Sequence, residues 1–180
     1  MRPNWFLALP VTGFEGLRTL PLPPSGVRVF APNDLHLTIA FLGPVDAATA
    51  LAAWEALVWP LGPTPVTLGE VVPMGPPGRY SALSALLVEG RDDVEAAIGS
   101  ARRPVCAAAK VAEDERPPKA HLTLARPKRQ ASEADRAAGL RWASELRLGN
   151  TPLLLDRLAL YTWAADRKES LFTIVRDRSL

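Results

Sequence analysis

Apolar and polar positions alternate along several short stretches of the chain and recur with helical spacing along three longer ones. Trp5 to Leu9 is an apolar run stopped by Pro10, and Val27-Arg28-Val29-Phe30 alternates before Pro32 and the Asn33-Asp34 turn signal. Further runs start at His36, Val66, Tyr80 and His121, each bounded by Pro or Gly. The pattern predicts strands over 5–9, 27–30, 36–42, 66–72, 80–88 and 121–126, with 153–163 and 171–175 as a closing pair. Asp46 is the expected N-cap for an Ala-rich helix to about Trp59. A second helix starts at Asp92 or Asp93, and Pro104 is expected to kink or break it. A third begins at Ser132 with early acidic residues and runs to about Leu146. Strands and helices are mixed without a strict βαβ rhythm, which favours α+β with antiparallel sheets over a doubly wound parallel sheet.

Composition narrows the class. The 180 residues, 48% apolar and 22% charged, suit one domain or two small lobes sharing a core. No apolar run approaches the ~20 residues of a membrane-spanning helix. The N-terminal run reads as a first strand, since it lacks a small-residue cleavage site after an apolar region. A lone Cys106 excludes an internal disulfide framework and a multi-Cys zinc site, so the expected compartment is the cytoplasm. The net charge of +2 permits an anionic ligand without requiring one. Arg outnumbers Lys, a bias that reads as coding preference more readily than as phosphate recognition. Neither a GxxxxGK[ST] nor a GxGxxG loop is present.

The chemistry lies in a repeat. The chain's two histidines open the stretches His36-Leu37-Thr38-Ile39-Ala40 and His121-Leu122-Thr123-Leu124-Ala125. The two stretches lie 85 residues apart, nearly half the chain, and self-similarity at this distance predicts two halves built alike. On a strand, period-two alternation sets His36, Thr38 and Ala40 on one face and Leu37, Ile39 and Phe41 on the other, with the same split at His121, Thr123 and Ala125. Ala40 and Ala125 then leave room beside the polar pair. If a pseudo-twofold relates the halves, two imidazoles and two hydroxyls face one cleft. Two imidazoles near neutral pH can serve as general acid and general base. Arg126 falls on the opposite face from His121 by strict alternation, but it precedes Pro127, so its direction stays open. A guanidinium there suits a phosphate. Such a set fits cleavage of a phosphodiester, and a strained cyclic phosphate is a natural substrate. Two histidines far apart, with no carboxylate at motif spacing, do not make a zinc site, and no metal is expected.

These residues resemble the two-histidine (HxT) phosphoesterases, and among them the RNA 2′,3′-cyclic phosphodiesterases also called 2′-5′ RNA ligases (the LigT/ThpR type). The likeness is carried by Pro32-Asn33-Asp34-Leu35-His36-Leu37-Thr38-Ile39-Ala40-Phe41-Leu42-Gly43, by His121-Leu122-Thr123-Leu124-Ala125-Arg126, and weakly by Phe6 to Pro10. The resemblance implies a bilobal, pseudo-twofold duplicated α+β domain over 1–180 with a central cleft carrying both HxT strands. It implies metal-independent hydrolysis of RNA 2′,3′-cyclic phosphate ends to 2′-phosphates, and a reversible, ATP-independent 2′-5′ ligation of tRNA-like halves. It also implies roles: His36 as proton donor, His121 as proton acceptor, and Thr38, Thr123 and Arg126 as phosphate ligands. No cofactor and no membrane partner are expected, and the small size makes a monomer the default. The sequence departs from the family at Leu160-Tyr161-Thr162-Trp163-Ala164, at Phe172 where Tyr is common, and at Pro3-Asn4-Trp5. Two other readings keep the cleft: a non-catalytic binder of RNA or nucleotide 3′ ends, and a phosphodiesterase for a small cyclic nucleotide.

The remaining features have plainer readings. Trp54, Trp59, Trp163 and Phe172 are expected in the core, although Trp163 and Phe172 are also candidates for base stacking. Arg102-Arg103 reads as a solvated face, and Arg126 to Arg129 as a guide for an RNA backbone. Arg79-Tyr80 reads as a plain strand start and Cys106 as a small buried filler.

Overall fold

A computed structural model describes residues 3–148 and 151–180. Among the described residues, nine strands form two sheets in which every strand pair is antiparallel. The strands are β1 (Trp5–Pro10), β2 (Val27–Val29), β3 (His36–Gly43), β4 (Thr64–Met74), β5 (Ala82–Leu87), β6 (His121–Pro127), β7 (Thr151–Leu155), β8 (Arg157–Trp163) and β9 (Phe172–Ser179). The first sheet has the order β3-β1-β8-β9 and the second β2-β6-β5-β4-β7. The helices are α1 (Ala47–Glu55), α2 (Arg91–Ala109) and α3 (Glu133–Glu145). Helices α1 and α2 pack on each other and on the first sheet, whereas α3 packs on the second. The arrangement is α+β with antiparallel sheets, as the element pattern predicts, and bilobal, as the resemblance implies, and one apolar core with Leu7, Leu37, Leu83 and Leu122 joins residues of both sheets.

Local chemistry explains the helix ends. The Asp46 carboxylate accepts the Thr49 N–H at 2.8 Å and starts α1. Ser132 and Asp135 close a reciprocal capping box at α3. Helix α2 follows Gly90, whose φ of +72° belongs to the left-handed region and where an added Cβ would meet the Pro65 carbonyl oxygen at 2.9 Å.

Three expectations change. Helix α2 continues unbroken through Pro104 to Ala109. Its Val94, Ile98, Ala101 and Val105 are fully buried, and that packing outweighs the one backbone hydrogen bond proline removes. Helix α1 ends at Glu55, before Trp59. The run 153–163 is two strands, because the chain leaves the second sheet at Asp156 and enters the first. Both halves of that run are apolar, so periodicity alone could not reveal the change of sheet.

The two HxT strands carry the same irregularity. On β1, Ala8 pairs with Thr38 and Leu7 with Ala40, which leaves Ile39 as an extra residue in β3. On β5, Ser84 pairs with Thr123 and Leu83 with Ala125, which leaves Leu124 extra in β6. Each bulge falls three residues after its histidine and shifts alternation by one. Ala40 and Ala125 turn into the core at 4% and 0% exposure, contrary to their expected place on the polar face. Phe41, expected on the apolar face, is instead 58% exposed. Both bulge carbonyls are satisfied: Ile39 O accepts from the Arg102 guanidinium at 3.0 Å, and Leu124 O from the Phe30 N–H at 2.8 Å.

Candidate active site

Strands β3 and β6 lie against each other between the sheets, so the two histidines face one cleft. Each imidazole is held in the same way. Nδ1 of His36 donates to the backbone carbonyl of Asp34 at 2.7 Å, and Nδ1 of His121 donates to that of Lys119 at 2.6 Å. A carbonyl oxygen only accepts, so each Nδ1 carries a proton and each neutral ring leaves the Nε2 lone pair unprotonated. The hydrogen bond to the residue two places earlier follows from how each strand begins. A 3-10 turn over Pro32–Asp34 delivers His36, and the Glu95 carboxylate fixes the approach to His121 by accepting the Ala120 N–H at 2.9 Å.

The surroundings of the two rings differ. His36 is 9% exposed and sits among Phe6, Tyr161 and Phe172, with ring centroids at 4.8, 5.3 and 5.4 Å. Burial lowers its pKa from 6.5 to about 4, against the raising effect of the Asp34 hydrogen bond. His121 is half-buried, and its pKa is also lowered, chiefly by burial and then, against its own hydrogen bond, by the charges of Lys119, Arg102 and Arg126. Both rings are therefore neutral at pH 7 in the ligand-free protein.

Two hollows open on the cleft, one beside each histidine, and Thr38, Phe41 and Arg126 line both. The one at His36 has a volume of about 630 Å³ and is walled by Phe6, Trp163, Phe172 and Arg167. The one at His121 has about 530 Å³ and adds Arg102, Cys106, Asp114 and Arg116. His36, Thr38, His121 and Arg126 thus meet at the cleft, and Arg126, which strict alternation sets on the opposite face from His121, reaches it because of the Leu124 bulge. Thr123 shares the cleft face of β6, but its hydroxyl bonds with Ser84 Oγ at 3.1 Å and it lines neither hollow.

Some of the plainer readings change, while Cys106 is buried as expected. Trp163 and Phe172 are half-buried and line the His36 hollow, and Phe172 also packs against the core. Arg102, expected on a solvated face, is half-buried and joins α2 to the β3 bulge. Lys128 and Arg129 line a separate hollow with Ser25 and Asp135, away from the histidines. Tyr80 is buried at 1% exposure with its hydroxyl donating to Arg136 O at 3.0 Å, and Cys106 is buried at 5% with its thiol pKa raised by burial. Phe41 was legible in principle, since aligning the two repeats sets it on Arg126.

Among the described residues, no group of three or more His, Cys, Asp or Glu is placed to hold a metal ion. None of their helices is long and apolar enough to cross a membrane.

Comparison with solved structures places this architecture. It is the fold of E. coli LigT. The LigT complex with ATP superposes with a TM-score of 0.68 at 19% identity, covering 99% of each chain. A structure described only as a phosphoesterase gives 0.69 at 19% identity over 100% of this chain and 99% of that one. TT0787 of Thermus thermophilus gives 0.67 at 22% identity over 98% of this chain and 97% of that one. LigT has also been crystallised with 3′-AMP, NADP+ and phosphate. No protein-family model and no curated protein matches the sequence.

Proposed function

We propose that this chain is a two-histidine phosphoesterase, folded as one two-lobed domain over 1–180, that opens RNA 2′,3′-cyclic phosphate ends to 2′-phosphomonoesters without a metal. The observation that carries the reading is the pair of bulged HxT strands, which bring two imidazoles, each with Nδ1 held and Nε2 unprotonated, to one cleft with a guanidinium between their hollows.

The chemistry balances with these groups alone. Water attacks phosphorus and gives its proton to His121 Nε2. The bond from phosphorus to the 3′ oxygen breaks in line, and His36 Nε2 gives that oxygen a proton. The product carries a 2′-phosphate and a 3′-hydroxyl. Arg126 and the Thr38 hydroxyl bind the nonbridging oxygens, and Thr123 joins them by turning its hydroxyl from Ser84. His36 as donor must first be protonated, which burial opposes. An anionic phosphate at Nε2 stabilises the imidazolium, so the proton is held best when substrate is bound. His121, less enclosed and neutral, suits the base. A 5′-hydroxyl in place of water gives a 2′-5′ linkage, driven by ring strain and without ATP.

A short RNA ending in a 2′,3′-cyclic phosphate, incubated with the protein in EDTA, tests the reading. The expected product is a 2′-phosphate end, and His36→Ala and His121→Ala each lower kcat roughly 10²–10⁴-fold, the usual contribution of an acid or base. Turnover unchanged in either variant sinks the assignment. Binding without turnover marks a non-catalytic module, and turnover of cyclic mononucleotides alone marks a small-nucleotide enzyme.

A further inference from the structure

The His36 hollow holds more positive charge than one phosphate uses. Arg126 and Arg167 both line it, and the charge of Arg167 acts on Arg126; Arg28 on β2 is the register partner of Arg126 on β6. Like charges set opposite one another on paired strands cost stability unless an anion intervenes. Among the described residues none of these three arginines has an ion-pair partner, and no carboxylate lines this hollow.

Arg167 is exposed, yet its side chain and its loop are both held. Its guanidinium carbon stands 4.6 Å from the centre of the Trp163 ring. The loop that carries it is tied down on both sides. Arg28 donates to the backbone oxygens of Arg167 at 2.9 Å and Lys168 at 3.3 Å. The Asp34 carboxylate, 1% exposed, accepts from Ser170 Oγ at 2.7 Å, from the Leu171 N–H at 2.8 Å and from the Phe172 N–H at 3.1 Å. Asp34 also supplies the carbonyl that holds His36. The reacting ring and the arginine wall are therefore anchored to one residue.

We propose that Arg167, packed on Trp163, forms a second anion subsite for a phosphate on the 5′ side of the reacting nucleoside. Arg126 serves the reacting phosphate. The hollow of about 630 Å³ has room for a nucleoside between the two. The inference rests on the proposed reaction for its substrate class, but its binding arm stands apart from catalysis.

Calorimetry compares adenosine 2′,5′-bisphosphate with adenosine 2′-phosphate on the wild type and on Arg167→Gln. In the wild type the 5′-phosphate is expected to tighten binding about tenfold, or about 1.4 kcal/mol, and the gain shrinks with added salt. Arg167→Gln brings the ratio toward one, and Arg167→Lys restores part of it. A wild-type ratio near one overturns the subsite, as does a ratio that Arg167→Gln leaves unchanged. In parallel, kcat/KM is measured for adenosine 2′,3′-cyclic phosphate with and without a 5′-phosphate, and for a dinucleotide ending in the same ring. A preference for the dinucleotide assigns the subsite to an RNA chain, and one confined to the terminal monoester assigns it to a free nucleotide. Both support it. If the binding ratio holds while no cyclic phosphate is opened, the subsite stands and the proposed reaction falls.

Discussion

The strands that carry the two histidines are near copies in backbone and unlike in their surroundings. In β3 and β6 alike, Nδ1 donates to the carbonyl two residues back and a bulge follows at the third residue. Beyond the bulge, Phe41 stands in one strand where Arg126 stands in the other. One ring lies in an aromatic cage, and the other is half-open beside Lys119 and Arg102. The duplicated backbone supplies paired geometry, and the surroundings make the two groups chemically unequal. Acid–base catalysis needs that inequality, since two groups in one protonation state cannot give and take a proton in the same step.

The comparison can be broken most severely at the rings. If the histidines act as one unit, the double variant His36→Ala/His121→Ala retains about the activity of either single variant. Multiplied losses in kcat would mean that the two act independently.

The next effect is on stability, and it separates the rings by burial. His36 binds its proton less tightly folded, at about 4, than unfolded, near 6.5. Between those values the unfolded chain holds more protons, so stability rises with pH there. It is fully present above 6.5 and is lost as pH falls toward 4, by on the order of 3 kcal/mol. Urea titrations at about pH 7.5 and about pH 4.5, on either side of most of that window, should show this fall in the wild type. His36→Gln should remove more of it than His121→Gln, and equal effects would contradict the unequal burial.

Asp34→Ala opens the tie between the His36 strand and the loop before β9. Loss of a buried acceptor for three donors, Ser170 Oγ and the Leu171 and Phe172 N–H groups, should cost about 2 kcal/mol or more. KM for the cyclic end should rise as the Phe172 wall loosens. An unchanged denaturation midpoint with unchanged KM would show that the clamp has no role. The smallest effect is expected at the asymmetric pair. Phe41→Arg, at an exposed position, should change stability by no more than about 0.5 kcal/mol, as read by thermal unfolding. A large loss there would show that Phe41 supports the cleft wall rather than merely lining it.

Much of this site was legible from local chemistry. A His-x-Thr pair at strand spacing shows one face to one cleft, and the repeat tells that it occurs twice. The capping residues Asp46 and Ser132 announce their helices because a side chain bonding its own backbone is a local event. Phe41, Arg102, Trp163 and Arg167 were harder to see. Arg102 comes from α2, which follows a strand of the second sheet yet packs on β3 of the first, and no local pattern encodes that crossing.

The sequence by itself determined the α+β alternation, the two matched strands and the residue types that meet in the cleft, because period, caps and turns act over a few residues. Tertiary structure decided which side chains share the cleft with them. A bulge forms only when a neighbouring strand sets the register, and it brought Arg126 and Phe41 to the cleft and buried the alanines. The lowered pKa of His36 is likewise a property of the rings around it, gathered from β1, β8 and β9. Burial by residues distant in sequence is a long-range effect that period-two alternation cannot express.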